Sequence, residues 1–274
     1  MQPEIYATLA VRARQAMLVE RMKTSAQLQT GRLAKDGLPD IALLPIQDAI
    51  SQLNLVSARW KRECKNICQG EPVYEFVMST IGLSEACFVF LGCAPPMIEF
   101  GNVAKAWKYC GLAPGQKKEK GKKAGFSPRL KSHAIARLAK PCMKMNGGRD
   151  KNGKKLPLSP YRPIYDMRRE RTMFTHPPMR EVEGECEYCD EARAYTKKLR
   201  ASKNFERERT TVAKDCSAFN GIHWTDGHRD ADAMRVMAKA IVRDLWLVEN
   251  GLPPRLAHSA PEQPPIQPAA LGAA

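Results

Sequence analysis

Seven residues, Ile46, Ile50, Leu53, Ser57, Trp60, Cys64 and Ile67, alternate steps of four and three along the chain. Only an α-helix brings such positions to one side; a strand would divide them between its two faces. The pattern predicts a helical-hairpin or coiled-coil arm, interrupted in character only by the polar Ser57. Two roles stay open for it: a dimerising or spacer arm, or one more core helix of a bundle. Residues 3–35 are also rich in helix formers, with Ile5, Leu9, Ala16, Leu18 and Met22 as the expected apolar positions. The phrase "KDGLPD" separates the two helices, because Gly and Pro both oppose helix continuation.

The remainder carries the same period and almost no alternation of period two, so the expected fold class is mostly α. "VYEFVMSTIGLSEACFVFLG" reads as helix, sharp turn, helix, with Gly82 in the turn and Ser84 as N-cap. Asn102 is placed to cap "VAKAWKYC", which Gly111 ends. A basic amphipathic helix is expected from Ser127 to about Lys144, with Pro128 at its first position. "NGGRDKNGKKLPLSP" reads as a flexible connector. Further helices are expected at "YRPIYDMRRERTM" and at "HRDADAMRVMAKAIVRDLWLVENG", whose Ala233, Val236, Met237, Ala240, Ile241, Leu245 and Val248 are strongly periodic. The expected organisation is a helical arm at 1–70, a helix-hairpin-helix-like nucleic-acid-binding unit at 71–145 and a helical region at 146–250. A Pro- and Ala-rich tail at 251–274 is expected to be disordered.

Charge narrows the function. Lys and Arg number 44 against 29 acids, leaving +15. That excess favours an anionic partner, with DNA first, RNA also considered and a membrane surface less favoured. No apolar run reaches bilayer length, and the N-terminal stretch lacks a secretory layout, so a cytoplasmic protein is expected. The densest cluster is Lys117, Lys118, Lys120, Lys122 and Lys123 around the single Glu119, followed by Arg129, Lys131 and Arg137. Cations so arranged displace counterions from phosphates and give salt-sensitive affinity. A glycine turn such as that at Gly82 and Ser84 can present backbone N–H groups to a phosphate, although any helical hairpin can use Gly there.

Cys186 and Cys189 form a "CEYC" pair, and Cys216, His223 and His228 lie downstream. Cys186, Cys189, Cys216 and His228 are the candidate ligands of a structural zinc, with unliganded thiols as the equal alternative. Cys64 and Cys68, one turn apart, are expected to pack in the arm. No Gly-x-Ser-x-Gly, phosphate-binding Gly–Lys–Ser/Thr loop or His-Glu-x-x-His occurs. Ser127 and Ser132 read as caps or phosphate contacts, and no spaced set of acids suggests a two-metal centre.

Taken together, "TIGLSEACFVFLG", "FGNVAKAWKYCGLAPG" and "GFSPRLKS" resemble the C-terminal domain of bridge-RNA-guided (IS one-ten type) insertion-sequence transposases. Ile81 and Gly82 match that family's hairpin. Phe100, Trp107, Tyr109, Gly111, Leu112 and Pro114 match its middle segment, and Gly125, Arg129, Leu130 and Lys131 fall near its closing helix motif. The likeness covers about residues 72–250. It implies DNA binding in transposition and recombination, with the lysines where the family's loop meets DNA. The family's RNase-H-like domain has no counterpart in the helical residues 1–70. Its catalytic serine loop corresponds to Gly115–Lys123, which contains no Ser or Thr. The resemblance therefore implies a nucleic-acid-binding scaffold and carries over no nucleophile. A non-catalytic DNA- or RNA-binding protein is the alternative, and a zinc-stabilised helical interaction protein a third.

Overall fold

The computed structural model describes residues 1–116, 121, 124–176, 224 and 226–256. Among them the chain is helical, with only isolated β-bridges. The arm forms as α1 (Pro3–Lys35) and α2 (Asp40–Ile67), joined by a tight turn in which Gly37 adopts φ +82°. The Leu38 N–H reaches the Leu33 carbonyl and the Gly37 N–H that of Ala34, closing α1 with a Schellman motif.

All seven seam residues of α2 are buried or half-buried, and the face packs against α1. Ser57 is not a flaw in this seam. Its hydroxyl donates to Glu20 of α1, which also receives Lys61 at 2.8 Å and Lys23 at 3.4 Å. Burial pushes the Glu20 carboxyl up, but the hydrogen bonds from Lys61 and Ser57 outweigh it and hold the group at about 2. The inward face of α1 is set by Leu9, Ala13, Ala16 and Met17. Leu18 and Met22 do not join it. They fall opposite at 100° per residue and are 57% and 51% exposed, alongside Val11.

The base of the arm rests on α4 (Ala86–Cys93), which is apolar all round and accordingly buried. The approach is close: a Cβ at Gly92 would lie 2.6 Å from Ala13 Cβ and 2.7 Å from the Leu9 carbonyl oxygen. Before it comes α3 (Pro72–Ser79); after it, a 3-10 turn at Met97–Glu99 leads to α5 (Val103–Tyr109). As expected, Asn102 caps α5 by accepting from the Lys105 N–H at 3.0 Å.

The helix after Ser127 is not uniform. Ser127 caps α6 (Pro128–His133), a π segment spans Ala134–Ala139, and α7 (Lys140–Lys144) follows. Pro141 has no N–H to return to the carbonyl of Arg137, and the widened turn sits immediately before it. Two longer helices, α8 (Arg162–Thr175) and α9 (Asp226–Glu249), pack on each other. The expected face of α9 is buried, with Val236 half-buried. One continuous core joins Leu9 and Cys64 of the arm to Phe88, Leu138, Tyr161 and Ile241. Tyr161 is fully buried and donates to Asp244 at 2.8 Å. Cys64 and Cys68 lie in this core, and burial pushes each thiol up to about 12, which keeps them inert. No helix of the described residues is long and apolar enough to cross a membrane.

Candidate nucleic-acid interface

Charge is unevenly distributed over the folded chain. Elsewhere among the described residues many cations are matched: Lys61 with Glu20, Lys65 with Glu85, Arg162 with Asp166, Arg168 with Asp232, Arg169 with Asp230. Between residues 100 and 160 the described cations are Lys105, Lys108, Arg129, Lys131, Arg137, Lys140, Lys144, Arg149, Lys151, Lys154 and Lys155. Asp150 is the single described carboxylate in that stretch. None of these cations makes an ion pair among the described residues. Such an imbalance raises the local potential and attracts polyanions.

Lys117, Lys118, Lys120, Lys122 and Lys123 lie outside the described residues. The posts on either side of them are well defined. Gly111, at φ +68°, ends α5 in a Schellman motif, with Leu112 N–H on the Trp107 carbonyl at 2.9 Å and Gly111 N–H on that of Lys108 at 3.1 Å. The Phe126 ring lies over Gly111, where any Cβ would come within 2.4 Å of it. The Ser127 N–H donates to the Tyr109 carbonyl at 2.9 Å, and the Ser127 hydroxyl accepts from the Leu130 N–H at 3.3 Å. The apolar phrase "WKYCGLAPG" and the start of α6 are thus stitched together at the two borders of the lysine segment.

The other predicted residues fare differently. Arg129 is exposed, and Lys131 places its ammonium 5.6 Å from the centre of the Phe126 ring. Arg137 turns inward from the π segment, is 9% exposed, and donates from Nε to His133 Nδ1 at 2.6 Å. Its expected place on a phosphate-facing surface is corrected accordingly: one helical stripe cannot keep 129, 131 and 137 on one side. Burial and the Arg137 charge hold His133 down at about 4, so the imidazole accepts this bond in neutral form.

The turn after α3 also differs from expectation. Gly82, at φ +96°, is pressed onto the start of α7: a Cβ there would stand 2.7 Å from Cys142 Cα and 3.2 Å from Ser159 Oγ. Its glycine is explained by backbone conformation and packing. Ser84 is exposed and makes no side-chain cap; its backbone carbonyl accepts from Cys87 N–H at 2.8 Å, and Glu85 precedes α4.

Residues 146–158 are not a loose connector. Bridges pair Asn146 with Leu158 and Arg149 with Lys155, and Leu156 N–H reaches Gly148 carbonyl at 2.7 Å. Asp150 closes the tip by accepting from the Asn152 and Lys154 N–H groups at 2.8 and 2.9 Å. The result is a short two-stranded ribbon that exposes Arg149, Lys151, Lys154 and Lys155. This cationic finger departs from the flexible connector expected there; "RDKNG" between paired residues is the turn signal in the sequence that marks it.

Of the candidate zinc ligands, Cys186, Cys189 and Cys216 lie outside the described residues, as does His223. His228 is exposed on the first turn of α9. Among the described residues no three of His, Cys, Asp and Glu converge as a metal site. Three acids of α9 are engaged otherwise: Asp230 with Tyr165 at 2.7 Å and Arg169 at 3.2 Å, Asp232 with Arg168 and Arg235, Asp226 with Arg229 at 3.3 Å.

Two cavities stand out. A groove of about 880 Å³ is lined by prolines and apolar side chains such as Phe76, Leu158 and Leu252. A second cleft, of about 370 Å³, lies where α1 meets α5 and α6 and is rimmed by Arg14 and Arg129. No family model, curated protein or solved structure matches the chain.

Proposed function

We propose that this chain binds nucleic acid, DNA foremost, through the cationic block from Lys105 to Lys155, as a transposase-like protein of a mobile element. The observation that carries the reading is that, among the described residues, the cations there make no ion pair, against one described carboxylate, Asp150, that is occupied in its own turn. The anchored borders of the lysine segment support it: a segment held at both ends meets a ligand at lower entropic cost. RNA is a second ligand of the same chemistry.

A non-catalytic role is the second reading, and it has its own support. Gly115–Lys123 lacks Ser and Thr, and Asp230 and Asp232 of α9 are committed to Tyr165, Arg168, Arg169 and Arg235. Strand cleavage by the purified protein with Mg²⁺, on duplex and branched DNA, separates the two; cleavage favours the transposase reading and its absence the binder.

The binding reading is tested by affinity as a function of salt. Log affinity falls with log salt by about 0.9 for each phosphate neutralised in duplex DNA. Replacing Lys117, Lys118, Lys120, Lys122 and Lys123 with Gln is expected to reduce that slope by several units. An unchanged slope removes the segment from the interface.

The arm supports self-association. Val11, Leu18 and Met22 on α1, and Ile41, Leu44 and Leu55 on α2, are exposed on the sides turned away from the seam, Ile41 at 75%. A second copy would cover these stripes. Sedimentation equilibrium should report a dimer that Leu18→Glu with Leu55→Glu returns to monomer. Zinc at Cys186, Cys189, Cys216 and His228 is tested by metal analysis and by loss of both metal and melting temperature in Cys186→Ser.

A further inference from the structure

We propose that the cleft rimmed by Arg14, Tyr109 and Arg129 receives a single phosphate-bearing nucleotide. The inference rests on the nucleic-acid reading above and gives it a specific subsite.

The cleft's volume of about 370 Å³ falls in the roughly 300–1,000 Å³ range of small-ligand sites. Its lining includes two arginines from elements far apart in sequence, Arg14 on α1 and Arg129 on α6. Neither makes an ion pair or a hydrogen bond among the described residues. A guanidinium without a partner, facing a cavity, is suited to a phosphate, which its planar fork grips with two bonds. The charge of Arg14 reaches both Tyr6 and Cys93 in the cleft wall, where it eases their ionisation.

The wall between the cations is neutral. The Tyr6 hydroxyl donates to the Ala94 carbonyl, and burial pushes it up to about 12. Burial likewise pushes the Cys93 thiol up to about 11, and its sulfur lies 3.1 Å from that of Met17. Glu99, the carboxylate whose field reaches Tyr6, does not line the cleft. The remaining element is Tyr109. Its ring is 41% exposed and is backed by Phe100 at 5.5 Å between centroids. A ring so braced is a stacking surface for a base, and such stacking contributes about 1–3 kcal/mol per base.

Position connects the cleft to the proposed interface. Tyr109 and Ser127 are the residues tied together at the borders of the lysine segment, and both line the cavity. Nucleic acid held by those lysines would have an unpaired terminal nucleotide within reach.

The test uses the full chain and fluorescence anisotropy, with three probes: a blunt duplex, the same duplex with a short 5′ overhang ending in phosphate, and that overhang ending in hydroxyl. The phosphorylated overhang is expected to bind about tenfold tighter than the hydroxyl form, as for charge-assisted hydrogen bonds. Arg14→Gln should bring that ratio close to one while blunt-duplex affinity stays as it was. Arg129→Gln should lower both affinities and also collapse the ratio. Tyr109→Ala should weaken the overhang complex at least fivefold, and Tyr109→Phe should restore it. Thermal melts accompany each variant; if Arg14→Gln unfolds, Arg14→Lys is read for the same ratio. Titration with AMP supplies the free-nucleotide arm. Normal duplex binding with equal affinity for the two ends, and no AMP binding, overturns the cleft and leaves the interface standing. AMP binding lost in Arg129→Gln, with no nucleic acid bound at any salt, retains the cleft as a mononucleotide site and overturns the proposed function.

Discussion

Two glycines with left-handed backbone show how the same residue type answers to different neighbours. Gly82 has φ +96° and Cys142 Cα only 2.7 Å from where a Cβ would be; Gly115 has φ +73° and open space. Gly115→Ala should therefore cost about 1 kcal/mol, the strain alone. Gly82→Ala adds a clash with backbone and should cost about 2–4 kcal/mol in urea denaturation. Titration at single residues gives a second check. Glu20 sits at about 2, below the ordinary carboxylate, so its contribution is complete above about pH 4.5 and is lost as pH falls towards 2. His133 is depressed to about 4, so the folded state resists its protonation, and stability declines as pH falls from about 6.5 to 4. Thermal melts across pH 7 to 4 should show the second decline, and His133→Gln should flatten it.

At the scale of the element, local rules and packing divided the outcome. Helix ends were legible because caps are short-range: Asn102, Ser127 and Gly111 act where their types predict. The ribbon at 146–158 reads as a connector in the sequence because its paired stretches are too short for alternation to register; only the "RDKNG" turn marks it. Its role is accessible to experiment. Converting Lys151, Lys154 and Lys155 to Gln should lower the salt slope of DNA binding with no change in melting temperature, since all three are exposed and their side chains make no hydrogen bond among the described residues. A retained slope confines binding to the lysine segment and α6. Asp150→Ala, which releases the Asn152 and Lys154 N–H groups, should weaken binding by loosening the same finger.

For the whole molecule, the sequence by itself determined the helical class, the arm's seam, the turn positions and the charge excess. Each follows from interactions within a few residues or from counting: side-chain period, caps, breakers and net charge. Tertiary structure decided the rest. It turned Leu18 and Met22 outward, because α4 takes the face of α1 defined by Leu9 and Ala13. It drew Arg137 inward at a π turn, pressed Gly82 onto Cys142, and brought Arg14 to Arg129 across more than a hundred residues of chain. Spacing along one helix says which residues share a face. Which face is covered, and what meets it there, depends on the shapes of partners that close packing brings together from distant parts of the chain.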